Sequence, residues 1–197
     1  MSYLLGCKCG AVRGQISHAE RAIRGVCYCK DCRAYASHLG IQSLTHDALG
    51  GADFVATLAK YVTLSDGLQH LACLSLSSSG LMRWYAKCCD TPIGNTPRNW
   101  KVAYVGSVRT CLDSEPGAYE RSFGDVQMRT NTASAKQAPP GLALKTISTL
   151  AGFIPRLVAG SVTGAYKATP FFTSAGTPVA TPTVLSREER ERAYAAA

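Results

Sequence analysis

Apolar and polar positions alternate with a short period up to about residue 110, and recur with a helical period beyond residue 142. Residues 3–17 alternate loosely, with Tyr3, Leu5, Val12 and Ile16 on the apolar side. Gly6, Gly10 and Gly14 supply the backbone freedom that a turn between strands needs. Val26-Cys27-Tyr28-Cys29 reads as a strand end entering a turn. Residues 30–39 predict a short helix, with Asp31 in its first turn, where a carboxylate suits the helix dipole, and Gly40 at its end. Residues 54–64 read as one strand (Phe54, Val55, Leu58, Tyr61, Val62, Leu64), closed by an Asp66-Gly67 turn. Residues 68–76 and 102–108 read as further strands, and 77–80 as a loop. Many short strands and turns predict a mainly β core.

After Gly117 the pattern changes. Residues 122–141 are polar, end in Pro139-Pro140, and read as a long loop or linker. Over 142–166, Leu144, Ile147, Leu150, Ile154, Leu157 and Val158 approximate one helix face, with Pro155 expected to kink or split the helix. Lys145, Pro155 and Arg156 interrupt the apolar run, so no transmembrane span is expected, and the helix should pack on the core. Thr169-Pro170-Phe171-Phe172 reads as a docking segment. Ser186 and Glu189 have the spacing of a capping box that opens a polar terminal helix. The expected organisation is a β domain over 1–116, a loop or linker over 117–141, and a helical extension over 142–197 packed on the core, α+β overall.

Composition adds two constraints. A hydrophobic fraction of 46% over 197 residues is sufficient for a core. The formal charge of +8 invites a nucleic-acid partner, but the basic residues are scattered (Arg21, Arg24, Lys30, Arg33, Arg83, Lys87, Arg98, Lys101), and thiolate ligands would offset part of the charge. Nucleic acid is therefore not the expected partner. Met1-Ser2-Tyr3-Leu4-Leu5 has neither a basic n-region nor a long apolar stretch, so the cytoplasm is the expected compartment, where cysteines stay reduced.

The cysteines change the picture most. Seven of nine fall in Cys7-Lys8-Cys9, Cys27-Tyr28-Cys29-Lys30-Asp31-Cys32 and Cys88-Cys89. Disulfides between residues two apart are badly strained, whereas thiolates at these spacings can converge on one ion, usually zinc. Cys27, Cys29 and Cys32 give three local ligands, which suits a site with one open position; His38 could close it from the helix, but reads first as an exposed helix histidine. Arg33 is a candidate for holding an anionic substrate group, because its fork pairs with carboxylates. Cys7 and Cys9 need partners, and Cys88 and Cys89 are the remaining pair, giving a site that staples distant segments. Adjacent cysteines reach one ion from a turn but not from a strand; in the alternative, Cys89 binds there and Cys88 faces the other site or a pocket. Cys73 and Cys111 read as small buried residues, Trp84-Tyr85 as core, and His18, His46 and His70 as ordinary.

Cys7-Lys8-Cys9-Gly10-Ala11-Val12, Cys27-Tyr28-Cys29-Lys30-Asp31-Cys32-Arg33 and Cys89-Asp90-Thr91-Pro92 together resemble the glutathione-dependent formaldehyde-activating enzyme family, which includes relatives of centromere protein V. The resemblance spans residues 3–110. It implies a β-tent fold, several coiled antiparallel sheets around zinc. It also implies a structural zinc on Cys7, Cys9 and the third motif, and a second zinc on Cys27, Cys29 and Cys32 with an open position. The implied activity is that of a carbon–sulfur lyase, joining the glutathione thiol to formaldehyde. The family's third motif is Cys-x-x-Cys-Gly-Thr; here its first cysteine falls on Ala86, Cys88 is the natural substitute, and Asp90 replaces the glycine. A non-catalytic zinc module that binds another protein through residues 142–172 is the alternative. A second copy of the chain is left open as a partner.

Overall fold

Loose alternation at the start of the chain builds the smaller of two sheets. In the computed structural model, which describes residues 1–112 and 115–197, β1 (Ser2–Gly6) pairs antiparallel with β2 (Arg13–Ser17), and β2 with β5 (Val62–Asp66). Tyr3, Leu5, Ile16 and Val62 turn inward from it. The larger sheet contains β3 (Ile23–Cys27), β4 (Ala52–Leu58), β6 (Leu71–Ser75), β7 (Met82–Ala86), β8 (Thr91–Thr96), β9 (Tyr104–Val108), β10 (Met128–Thr130) and β11 (Pro182–Val184). Its order is β10-β3-β4-β9-β8-β7-β6-β11, antiparallel inside and parallel at both edge pairs. With β10 and β11 at its two ends, this sheet does not close into a barrel.

Among the described residues five α-helices complete the α+β fold: α1 (Lys30–His38), α2 (Gln42–Thr45), α3 (Ala118–Phe123), α4 (Ala143–Val162) and α5 (Arg187–Ala195). Gly40 ends the α1 segment at φ 68°, a left-handed conformation that glycine adopts without strain. α5 carries the expected capping box: Glu189 N–H donates to Ser186 Oγ at 3.2 Å, and Ser186 N–H donates to Glu189 Oε2 at 2.8 Å. Tyr194 O–H donates to Asp31 Oδ1 at 2.7 Å, fastening α5 to α1.

Four segments differ from their sequence reading. The strand expected over 54–64 is two strands in different sheets, separated by a single helical turn at Ala59–Tyr61. There Ala59 N–H leaves the ladder to meet Ala103 O at 2.8 Å. The strand expected over 68–76 begins only at Leu71, after a helical turn at Leu68–His70. The stretch 117–141, expected as loop or linker, holds α3 and the edge strand β10. Beyond residue 142 the chain supplies more than packed helices. β11 extends the sheet, and Phe171 and Phe172 stack on the fully buried Trp84 at 5.1 and 5.9 Å between ring centres.

α4 runs unbroken through Pro155. Pro155 is exposed, so the carbonyl its ring leaves unbonded can meet water. Its contact line also differs from expectation. Phe153 and Gly160 are buried and Leu150 and Leu157 half-buried, whereas Leu144, Ile147, Ile154 and Val158 are exposed. A Cβ on Gly160 would lie 2.9 Å from that of Ala103, so the helix rests on its glycine side. Among the described residues no helix is long and apolar enough to cross a membrane.

Two cysteine clusters and a cavity

The turn from β1 to β2 and the turn from β7 to β8 bring four sulfurs together. Gly10, at φ 76°, closes the first turn with its N–H on Cys7 O at 2.9 Å. Val12 N–H donates to Cys7 Sγ at 3.2 Å. In the second turn Cys89 N–H donates to Ala86 O at 3.2 Å. Asp90 adopts φ 53°, a left-handed conformation that asparagine and aspartate tolerate better than most residues. Lys8 N–H donates to Thr91 Oγ1 at 3.0 Å, joining the two turns.

Both Cys88 and Cys89 reach this cluster because they sit in a turn, and Cys88 does not face the other site. Sulfur separations are 3.5 Å for Cys7–Cys9, 3.9 Å for Cys7–Cys88, 3.2 Å for Cys9–Cys88 and 3.8 Å for Cys88–Cys89. A tetrahedral zinc–thiolate site has sulfurs about 3.8 Å apart, so the four sulfurs are already arranged to hold one metal ion. Their proton affinities are divided. The Cys9 sulfur and burial push Cys88 up to about 12. Burial also raises Cys89, but the Thr91 hydroxyl and Cys9 outweigh it and bring it down to about 6. A shared cation would remove that conflict by accepting all four as thiolates.

The second cluster is built at the start of a helix. Cys27 ends β3, Cys29 caps α1 by accepting from Cys32 N–H at 3.3 Å, and Cys32 lies in the first turn. Cys29 and Cys32 sulfurs are 3.0 Å apart, and all three sulfurs lie within 4.8 Å of one another. Cys29 and Cys32 donate to Cys27 and hold it far below the ordinary thiol range. Cys27 in turn pushes both of them up. Asn131 Nδ2 donates to Cys27 at 3.4 Å, and Arg83 Nη1 to Cys32 at 3.9 Å. Among the described residues no fourth cysteine, histidine or carboxylate joins this group. The donor set fits a soft divalent ion with one position left free.

His38 does not close the site, and Arg33 is not where its sequence position suggested. His38 is exposed at the far end of α1, in a groove with Glu189 and Arg192. Arg33 is buried and donates from Nη1 to Tyr28 O at 2.8 Å and Ser134 O at 2.9 Å. Consecutive helix residues point about 100° apart, so a residue next to a ligand need not share its face. The cation at the cluster is Arg83, from β7, stacked over Tyr35 at 5.1 Å from its ring centre. Cys73 and Cys111 are buried in the core, outside both clusters. Trp84 is likewise core.

The second cluster opens on a cavity of about 540 Å³. Ile41, Phe54, Val108 and Met128 form one side, and Leu150, Phe153, Ile154 and Leu157 of α4 form the other. Tyr35, His46 and Asn95 also line it. Tyr35 Oη, His46 Nε2 and Asn95 Oδ1 are each buried without a hydrogen-bond partner in the protein. The sequence reading passed over His46. Thr45 spends its hydroxyl proton on Ile41 O at 3.0 Å, so its oxygen accepts from His46 Nδ1–H at 2.8 Å. That leaves Nε2 with a free lone pair facing apolar surroundings. Burial, and then the Arg33 charge, hold the imidazole below its ordinary value of 6.5, keeping it neutral.

The model of a protein family described as a family of unknown function (DUF6151) matches residues 1–182. Among curated proteins none matches the chain. A crystal structure of a Rhodobacter sphaeroides protein, a structural-genomics target, aligns with 19% identity over 66% of this chain and 100% of that one, at a TM-score of 0.42.

Proposed function

Because the chain belongs to the DUF6151 family, whose function is unknown, we propose a function from its own residues. The protein is a zinc-dependent enzyme of the carbon–sulfur lyase type that joins a small thiol to formaldehyde or a related aldehyde, and separates them again. The observation that carries this reading is the contrast in ligand number and access. Four sulfurs close one cluster, whereas three sulfurs face a cavity with a free histidine nitrogen. Cys7, Cys9, Cys88 and Cys89 hold a structural zinc, around which the sheets would lean as in the β-tent family. Cys27, Cys29 and Cys32 would hold a second zinc, which when bound would supply a Lewis acid able to lower the pKa of a substrate thiol.

The remaining work falls to the chain. His46 Nε2 accepts the thiol proton, with Thr45 holding the tautomer that leaves this nitrogen bare. The sulfur forms a bond to the aldehyde carbon, and the C=O π pair moves onto oxygen. The Tyr35 hydroxyl, unpartnered in the protein, is available to that oxygen as a donor. The proton returns to oxygen, giving R–S–CH₂OH with no electron gained or lost. Reduced thiols make the cytoplasm a fitting compartment.

The test is adduct formation by zinc-replete protein with ¹³C-formaldehyde and a panel of thiols including glutathione, followed by NMR. A rate above the spontaneous one, lost in Cys32→Ala, is the expected result. No acceleration with any thiol would overturn the proposal. In that case the exposed Leu144, Ile147 and Val158 on α4 favour the second reading, a non-catalytic zinc module that docks on another protein.

A further inference from the structure

The cavity beside Cys27, Cys29 and Cys32 has the wrong walls for a highly charged thiol. Glutathione carries two carboxylates and one ammonium, and each would need a partner on entering a confined site. Among the described residues Arg83 is the only cationic side chain on the cavity wall, and it is already directed at Cys32 and stacked on Tyr35. The two carboxylates on the wall are also engaged. Asp31 accepts from Tyr194, and Asp53 accepts from Arg24 and Tyr119. His46 presents an uncharged ring whose bare Nε2 accepts a proton but pairs with no carboxylate.

The rest of the wall is hydrocarbon and aromatic. Phe54, Met128, Leu150, Phe153 and Leu157 surround a space large enough for a drug-sized molecule. Ile154 both lines the cavity and stands 52% exposed. On the same face of α4, Val158 lies about one turn after it and Ile147 about two turns before it, both exposed. An apolar strip therefore runs from the surface to the cavity, and a ligand entering along it gains burial at every step. Among the described residues, the buried polar atoms of the wall that lack a partner are those of Tyr35, His46 and Asn95, enough to orient one small polar head.

Resting on the open three-cysteine site proposed above, we infer that the substrate thiol is apolar: a single sulfhydryl head at the cysteine cluster on a hydrocarbon or aromatic body that fills the cavity under α4. The chain thereby departs from glutathione in substrate class while keeping thiol chemistry.

Cobalt(II)-loaded protein, titrated separately with 2-phenylethanethiol, glutathione and ethylbenzene, tests this through the visible absorption of the cobalt centre. 2-Phenylethanethiol should perturb the spectrum at a concentration at least tenfold below glutathione, and ethylbenzene should compete with it without changing the spectrum itself. Ile154→Asn, at a half-exposed position that leaves the core intact, should weaken 2-phenylethanethiol at least threefold and leave glutathione unchanged. Glutathione binding as tightly as 2-phenylethanethiol would overturn the inference while the open site stands. No response to either thiol from protein with both cobalt sites filled would overturn the open site and the inference together.

Discussion

The two cysteine clusters use the same atoms for opposite ends. Cys7, Cys9, Cys88 and Cys89 come from two turns joined by the hydrogen bond from Lys8 to Thr91, and their four sulfurs match the full ligand count of a tetrahedral ion. Cys27, Cys29 and Cys32 come from one strand end and one helix start, and they face a cavity. Ligands from distant segments constrain the fold. Ligands from one short segment leave the far side of the ion available. The difference lies both in how many sulfurs meet and in where they come from in the chain.

The largest expected effect breaks the first cluster. A structural zinc supplies about 10 kcal/mol or more, against a total stability of about 5–15 kcal/mol. The double change Cys9→Ala and Cys88→Ala should remove one zinc per chain and lower the melting temperature by more than about 20 °C. Cys32→Ala should also remove one zinc but shift the melting temperature by only a few degrees. Elemental analysis with calorimetry reads both; equal losses of stability would erase the distinction between the clusters.

A smaller effect sharpens the comparison from the cavity side. Asp53 accepts from Arg24 Nη2 at 2.8 Å and Tyr119 O–H at 2.7 Å, with Arg109 at 3.6 Å. Arg24 and Arg109 both lie 4.7 Å from the Tyr119 ring centre, so β3, β4 and α3 meet at this carboxylate. Asp53→Asn leaves the buried Arg24 only the more exposed Glu120, at 3.6 Å, as counter-charge and should cost about 3 kcal/mol in urea denaturation. Zinc at the four-cysteine cluster should be unaffected.

The smallest effect is a pH dependence. His46 has its proton affinity lowered in the fold by burial first and by Arg33 and Lys136, against the opposing pull of Asp47 and Cys27. The unfolded chain therefore binds more protons. The stability this neutral ring contributes is complete above 6.5, its ordinary value, and is lost as pH falls through the lowered folded value. His46→Gln should make the acid loss of stability shallower and leave the stability near pH 8 little changed. Urea midpoints across the pH range check it.

Much of this was legible locally. The capping box at Ser186 and Glu189, the helix after Cys29 and the grouping of Cys27, Cys29 and Cys32 depend on neighbours a few residues apart, where spacing dictates geometry. The division of residues 54–64 between two sheets was not, because an alternating strand satisfies either sheet equally well. Arg33 looked like the cation of the site because it follows Cys32 in sequence; in three dimensions it ties Tyr28 to Ser134.

The sequence by itself determined the kinds of atom available for metal binding and the short segments that carry them, since thiols one to three residues apart cannot escape each other. Only the tertiary structure decided that Cys88 and Cys89 join Cys7 and Cys9, that Arg83 and His46 accompany the other three, and that α4 lays its apolar residues over them. Those meetings cross dozens of residues of chain. They are selected by which sheet faces must be buried together, a condition on the whole fold that no local spacing contains.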